Sequence, residues 1–317
     1  MADIGIDIQR AKSLLEQGEL VGIPTETVYG LAGNALNVSA VTKIFETKNR
    51  PEFDPLIVHV PDIEHARLYV EKIPDAALEL TKHFWPGPLT LLLRKKPVIP
   101  DMVTSGLDTV GIRCPDHIIT RTLLRELDFP LAAPSANPFG YVSPTRAEHV
   151  NDQLGDRIPY ILNGGECRVG IESTIIGFET DQPTIYRLGG LSLEKINDLI
   201  GPVVVQAHST SNPKAPGQLK SHYAPGKKLI IGEMEELLQQ YPAHEVGLLT
   251  FQDDFNSPFQ FILSPSGNME EAAQNLFTAL REFDKMPIDF ILAEFVPDEG
   301  LGRAINDRLR RAASIEK

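Results

Sequence analysis

Residues 21–60 read VGIPTETVYGLAGNALNVSAVTKIFETKNRPEFDPLIVHV, and the fold turns on them. The apolar run of Val21 and Ile23 reads as a buried strand, followed by a turn through Pro24-Thr25-Glu26-Thr27 to Tyr29-Gly30. Val41, Ile44 and Phe45 then recur at helical spacing behind Asn37, a residue suited to an N-cap. That helix runs into Lys48-Asn49-Arg50-Pro51, where the proline stops it. Leu56-Ile57-Val58-His59-Val60 is β-rich and reads as a central strand. Two buried strands flanking a Thr-rich turn and a Lys-x-Arg pair suggest a place to hold an anion. They are equally a βαβ unit whose loop is polar, and spacing alone does not choose.

Outward from this stretch, 317 residues are long for one core, so two domains are expected. No apolar run reaches the ~18 residues of a membrane span. MADIGIDIQRAKSLLEQGEL is amphipathic with early acids. It reads as a first helix ending at Gly18 and not as a signal peptide. Cys114 and Cys167 are too few and too far apart for a zinc site or a disulfide framework, which suits a reducing cytoplasm. The formal net charge of −13 gives no general attraction to nucleic acid.

Helix and strand patterns alternate irregularly up to residue 200. Strands are expected at Leu89–Leu93, Thr109–Pro115, Pro130–Pro134, Tyr160–Leu162, Ser173–Phe178 and Pro183–Leu188. Helices are expected at Pro61–Glu71, Pro74–His83, His117–Leu127, Thr145–Leu154 and Leu193–Ile200. So many strands with little βαβ regularity favour a mixed, twisted α/β sheet. Residues 206–227 are polar and proline-rich, a linker or ordered loop whose His222-Tyr223-Ala224-Pro225 hints at docking. From Lys228 the pattern is regular: strands at Leu229–Ile231, Val246–Phe251, Phe261–Leu263 and Ile288–Phe295, with helices at Met234–Gln240, Asn268–Lys285 and Gly302–Ala313. This is a smaller parallel α/β, Rossmann-like domain over 228–317, after a first domain over 1–205. Gly232-Glu233-Met234 lacks the dinucleotide-binding glycine turn, and Gly300-Leu301-Gly302 reads as close strand–helix packing in preference to an anion site at a helix N-terminus.

The chemistry-bearing residues gather at strand ends. Thr25 and Thr27 go with Lys48-x-Arg50. Ser135-x-Asn137 continues to Ser143-Pro144-Thr145. Arg113 is followed by Ser173-Thr174 further on. No nucleophile elbow, zinc-protease helix or activated cysteine is present, so covalent and zinc chemistry lack support. Hydroxyls, amides and cations suit an anionic substrate that is positioned and not covalently attacked. Lys48 and Arg50, taken as extended, share a face at ~7 Å, a spacing that straddles a polyphosphate. Alternatively, Lys48 only caps its helix.

Pro24–Leu31, Lys48-x-Arg50-Pro51, Pro55–Val60 and Ala133-Pro134-Ser135-Ala136-Asn137 resemble the motifs of the YrdC/Sua5 family. His222–Pro225 and Gly300–Leu309 resemble its long, two-domain form. The resemblance implies an L-threonylcarbamoyladenylate synthase: threonine takes up CO2 or bicarbonate, and the carbamate attacks the α-phosphorus of ATP, releasing pyrophosphate. A partner tRNA threonylcarbamoyl transferase complex would then modify the adenosine 3′ of the anticodon, with direct tRNA contact left open. The implied catalytic tetrad is Lys48, Arg50, Ser135 and Asn137. Further implied ATP contacts are Asp54, Thr109, Ser143, Arg187 and Tyr223, with Mg2+ as the accompanying ion and its ligands unknown. Thr27, His59, Arg113, Ala133 and Ser173 match the threonine-binding positions. Asp54 stands where the family usually has asparagine; beside phosphate an acid repels unless it faces a metal or a base. Ser221 replaces a basic residue. The competing classes are a non-catalytic tRNA or double-stranded-RNA binder, against which the net charge argues, and a carbamoyl-transfer enzyme, against which the cysteine count argues.

Overall fold

The computed structural model describes residues 1–179, 182–206, 215–217, 223–242 and 245–314. Its N-terminal part begins with β1 (Asp3–Gly5), α1 (Ile8–Glu16), β2 (Val21–Ile23), β3 (Gly30–Asn34), α2 (Val38–Lys48) and β4 (Ile57–His59). The opening stretch is therefore not a plain βαβ unit. β2 turns back into β3 as an antiparallel pair, Val21 opposite Ala32 and Ile23 opposite Gly30. β3 escaped the sequence reading because Gly-Leu-Ala-Gly-Asn contains no β-branched or aromatic residue. The second of its two glycines is structural: a Cβ on Gly33 would stand 2.9 Å from Leu20 Cδ2. β1 was likewise absorbed into the expected first helix, which starts only after Asp7 accepts from the Arg10 amide.

The chain continues through α3 (Ile63–Ala66), α4 (Asp75–Phe84), β5 (Leu89–Arg94), α5 (Asp101–Thr104), β6 (Thr109–Arg113), α6 (Ile118–Glu126) and β7 (Leu131–Ala132). It then forms α7 (Ala147–Leu154), β8 (Tyr160–Leu162), β9 (Thr174–Gly177), β10 (Thr184–Arg187), α8 (Leu193–Ile200) and β11 (Val204–Val205). Among the described residues these strands make one mixed sheet in the order β1-β8-β2-β3-β7-β4-β6-β5-β9-β10-β11. Leu31, Val41, Ile44, Val58, Leu91, Ile112 and Ile176 fill one core against it. Each such side chain contributes about 1.5–3 kcal/mol on burial.

The C-terminal part comprises β12 (Lys228–Ile231), α9 (Met234–Gln240), β13 (Val246–Thr250), β14 (Gln260–Ile262), α10 (Met269–Phe283), β15 (Phe290–Ala293) and α11 (Gly302–Ala313). Its sheet, β12-β15-β13-β14, is parallel at every pairing. The core of this part is shared: Val28, Val142 and Ile171 join Leu276, Phe277, Phe283 and Leu309 in one apolar cluster. Arg281 on α10 donates to the carbonyls of Val142 (2.5 Å) and Ser143 (3.2 Å). Gly170, at φ 78°, lets α10 lie against the loop before β9; a Cβ there would stand 2.4 Å from Gln274 Cα. The last helix begins with Gly302 pressed onto the Pro297 carbonyl, which is the packing role expected for that glycine. Cys114 and Cys167 are buried free thiols. No helix among the described residues is long and apolar enough to cross a membrane.

Candidate active site

Polar residues interrupt apolar strands at His59, Thr90 and Arg113, and strand register puts them in one row. His59 on β4 lies opposite Arg113 on β6, and Arg113 lies opposite Thr90 on β5. In-register residues of neighbouring strands project to the same face of the sheet. Ser173, just before β9, shares a 2.7 Å hydrogen bond between its hydroxyl and that of Thr90. His59 and Arg113 open into a cavity with Ala133, Ser135, Arg50 and Arg187. Thr25, Glu172, Pro216, Gly217 and Tyr223 complete much of its wall.

Its charges are held in different ways. Arg113 is bridged to Glu26 Oε1 at 2.7 Å and donates to Thr27 Oγ1 at 2.9 Å. Its Nε is buried and makes no hydrogen bond among the described residues. Arg187 donates through Nε to the Ser173 carbonyl and through Nη2 to its hydroxyl, both at 3.0 Å. A third, long bond runs from its Nη1 to the Pro216 carbonyl at 3.4 Å. Arg50 donates to the carbonyls of Asp54 (2.9 Å) and Pro55 (2.8 Å) and is bridged to the Asp54 carboxylate at 2.9 Å. Asp54 thus faces a cation, which answers the repulsion its position raised. Burial nonetheless pushes its carboxyl above the ordinary range, opposed by Arg50 and Lys48. His59 is driven down to about 3 by burial and by Arg113, so the imidazole is neutral at any ordinary pH.

Lys48 and Arg50 depart from the expected extended pair. Lys48 is the last residue of α2, and Asn49 follows in the left-handed region at φ 50°. The two side chains therefore diverge. Lys48 Nζ donates to the carbonyls of Ser135 (2.5 Å) and Asn137, beneath the loop that presents Ser135 to the cavity. Burial, then the Arg50 charge, lowers its pKa well below the usual lysine value. Asn137 donates to the carbonyls of Pro138 and Tyr141 and so braces the same loop from its other side.

Of the residues expected from sequence, Arg50, His59, Arg113, Ala133, Ser135, Arg187 and Tyr223 line the cavity. Lys48, Asp54, Asn137, Thr27, Ser143 and Ser173 are buried and bonded behind or beside its lining. Thr109 is separated from the group. It opens β6 four residues from Arg113, roughly 13 Å along the strand, and lines a second cavity with Glu71, Arg94 and Asp108. Ser221 and His222 lie outside the described residues. The sequence reading missed Thr90 and Glu172. Thr90 carried a signal: it is a polar residue set into the apolar run Leu89–Leu93. Glu172 stands beside the polar Ser173 and Thr174, so no such interruption marks it.

Comparison with known proteins places the chain in a family. The Sua5/YciO/YrdC family model, whose description is "Telomere recombination", matches residues 13–189. The model for the "Threonylcarbamoyl-AMP synthase, C-terminal domain" matches residues 191–314. Threonylcarbamoyl-AMP synthase of Pyrococcus abyssi is 42% identical over 321 residues, covering 96% of this chain and 94% of the relative. The Bacillus subtilis protein of that name is also 42% identical, covering 96% and 92%. The crystal structure of P. abyssi Sua5 complexed with L-threonine superposes with a TM-score of 0.93 at 40% identity, covering 99% of this chain and 97% of that one. Matched along both of its parts in sequence and along nearly all of its length in structure, this chain belongs to the Sua5/YrdC family in the two-domain form.

Proposed function

We propose that this chain is a threonylcarbamoyl-AMP synthase, a nucleotidyl-transferring enzyme that joins L-threonine, bicarbonate or CO2, and ATP. The observation that carries the reading is the convergence of Arg50, Arg113 and Arg187 on one cavity with Ser135 and a neutral His59. Such a cavity has a place for a carboxylate and a place for phosphates.

At one end, the unsatisfied Arg113 Nε is the natural donor to the threonine carboxylate. Its Nη2 is held by Glu26 and Thr27, so the fork is oriented before the ligand arrives. Ser173 and Thr90 present a hydroxyl pair, and uncharged His59 and the small Ala133 leave room for the amine and its new carboxyl group. The threonine nitrogen bonds to the carbon of CO2 and gives up a proton to solvent. The resulting carbamate is already anionic and needs no strong base. Its oxygen attacks the α-phosphorus of ATP; the bond to the β-phosphate breaks, and pyrophosphate leaves with the electron pair.

At the other end Arg50, Arg187 and Ser135 meet the phosphates, with Ser143 and Tyr223 closer to the nucleoside. Lys48 and Asn137 act by holding the Ser135 loop in place. Thr109, facing the second cavity, has no part in this reading. No cluster of three or more carboxylate, histidine or cysteine ligands exists among the described residues, and Glu172 is engaged by Ser143 and Arg308. These residues do not fit a resident metal cage. Mg2+ would therefore come with the ATP, held by phosphates and water.

The described stretches of the linker, residues 215–217 and 223–227, are proposed to lie across the mouth of the cavity, a role supported by Pro216, Gly217 and Tyr223 in its wall. The product would pass to a tRNA threonylcarbamoyl transferase in the cytoplasm, where ATP and tRNA are found. The test is pyrophosphate release from ATP. It should require both L-threonine and bicarbonate, and release that ignores either one removes the reading.

A further inference from the structure

The last helix carries a residue that the proposed chemistry does not use. Arg308, on α11 of the C-terminal part, is wholly buried and sits against the N-terminal cavity. It donates through Nε (3.2 Å) and Nη2 (3.1 Å) to Glu172 Oε2, and through Nη1 to the Leu188 carbonyl at 2.6 Å. The other oxygen of Glu172 accepts from the Ser143 hydroxyl at 2.5 Å. The Arg308 guanidinium also lies 5.2 Å from the Tyr223 ring centroid, and that ring stacks on Phe277 of α10. Both Glu172 and Tyr223 line the cavity. One guanidinium of the C-terminal part thus bonds or faces two wall residues and, through Glu172, reaches a third side chain beside them.

The helix is itself fixed. Asn306 accepts from the Val296 amide (3.0 Å) and donates to the Val296 carbonyl (2.9 Å). Asp307 bridges Arg308 (3.1 Å) and Arg311 (2.9 Å). A charge buried this deeply is tolerated only when its donors are satisfied, and breaking such a group leaves the partner charge stranded. If Arg308 only glued the two parts together, apolar packing would serve as well, and Arg303 on the same helix already pairs with Glu194 on α8 away from the cavity.

We propose that Arg308 is a positioning residue for the nucleotide half of the site, through which the C-terminal part sets Glu172, Ser143 and the Tyr223 ring. It acts through those groups and touches no substrate itself. The inference rests on the synthase reading for its choice of ligand.

The experiment compares wild type with Arg308→Met, Arg308→Lys, Glu172→Gln, the double variant Arg308→Met/Glu172→Gln, and Arg303→Ala. Each is assayed for steady-state pyrophosphate release with ATP and L-threonine varied separately. Displacement of a site by a fraction of an ångström to one ångström costs up to a hundredfold. Arg308→Met should raise KM for ATP tenfold or more and leave KM for threonine within twofold. The double variant, having no stranded carboxylate, should recover part of that loss. Arg303→Ala should keep both constants. Equal changes in the two KM values, or an equal loss in Arg303→Ala, would reduce Arg308 to a docking contact. Should Arg308→Met not fold, Arg308→Lys and Glu172→Gln carry the same comparison. Should the wild type show no threonine-dependent release, the synthase reading fails alone. ATP binding by equilibrium dialysis then decides the positioning role, with weaker binding in the Arg308 variants supporting it and equal binding ending it.

Discussion

The two ends of the cavity are built on different principles. The end with His59, Arg113 and Thr90 is a row across three hydrogen-bonded strands, fixed by register. The end with Arg50, Ser135, Arg187 and Tyr223 is assembled from a helix exit, a loop braced from below, the last residue of β10 and a connecting segment facing the C-terminal part. A strand row is rigid because the ladder hydrogen bonds of the strands that carry it hold its backbone in register. A loop platform is only as rigid as its few braces. The amino-acid end should therefore fail sharply and locally, whereas the nucleotide end should fail by degrees and at a distance.

The largest expected effect is at Arg113. Arg113→Ala removes the proposed carboxylate donor and strands the buried Glu26. The expected loss is about 3–4 kcal/mol, or a few hundredfold to a thousandfold in kcat/KM for threonine. Arg113→Lys should rescue little of it, since a point charge cannot replace the fork. A loss under tenfold in steady-state kinetics would show that the carboxylate binds elsewhere.

Next is Lys48, which supports the loop end without lining the cavity. Lys48→Met leaves the carbonyls of Ser135 and Asn137 short of a donor, a cost of about 1–3 kcal/mol in folding stability. KM for ATP should rise about tenfold and KM for threonine should stay put. A variant with unchanged melting temperature and unchanged ATP kinetics would break the brace.

The smallest effect is the pH response of the strand row. His59 binds its proton far less readily folded, at about 3, than unfolded, near 6.5. Between those values the unfolded chain holds the extra proton, so stability rises with pH there and is lost as pH falls from about 6.5 toward 3. His149, also held at about 3 by burial, acts in the same direction. Going from pH 6.5 to 5, His59 should account for about 1–2 kcal/mol of lost stability. Urea denaturation of His59→Gln should show a correspondingly shallower dependence; an unchanged one would mean the imidazole is not neutral in the fold.

How far these features could be read from sequence follows the same division. In the C-terminal part, hydrophobic period and length placed α9 and α11 at their observed ends, because each element packs one face on a regular parallel sheet. In the N-terminal part, β3 was hidden by glycines that exist for packing, and β1 and β11 are too short to show a period. His59 was reached through the family resemblance, Thr90 is a polar interruption of an apolar strand that went unread, and Glu172, beside Ser173 and Thr174, bore no such mark. The Lys48-x-Arg50 pair was found, but its geometry was not, since a left-handed Asn49 separates the two directions. Arg308 falls within the Gly300–Leu309 resemblance, but its burial did not show in the sequence. An arginine among Arg303, Asp307, Arg310 and Arg311 reads as a solvated helix face, and only the closure of the two parts over it makes it a buried one.

The contrast between the two ends is tested most directly by measuring pyrophosphate release from ATP in Arg113→Ala and Arg50→Ala, with threonine and ATP titrated separately in each. Arg113→Ala should raise KM for threonine and spare that for ATP, and Arg50→Ala should do the reverse. If both variants shift both constants alike, or if release proceeds without threonine, the cavity is not a two-ended synthase site.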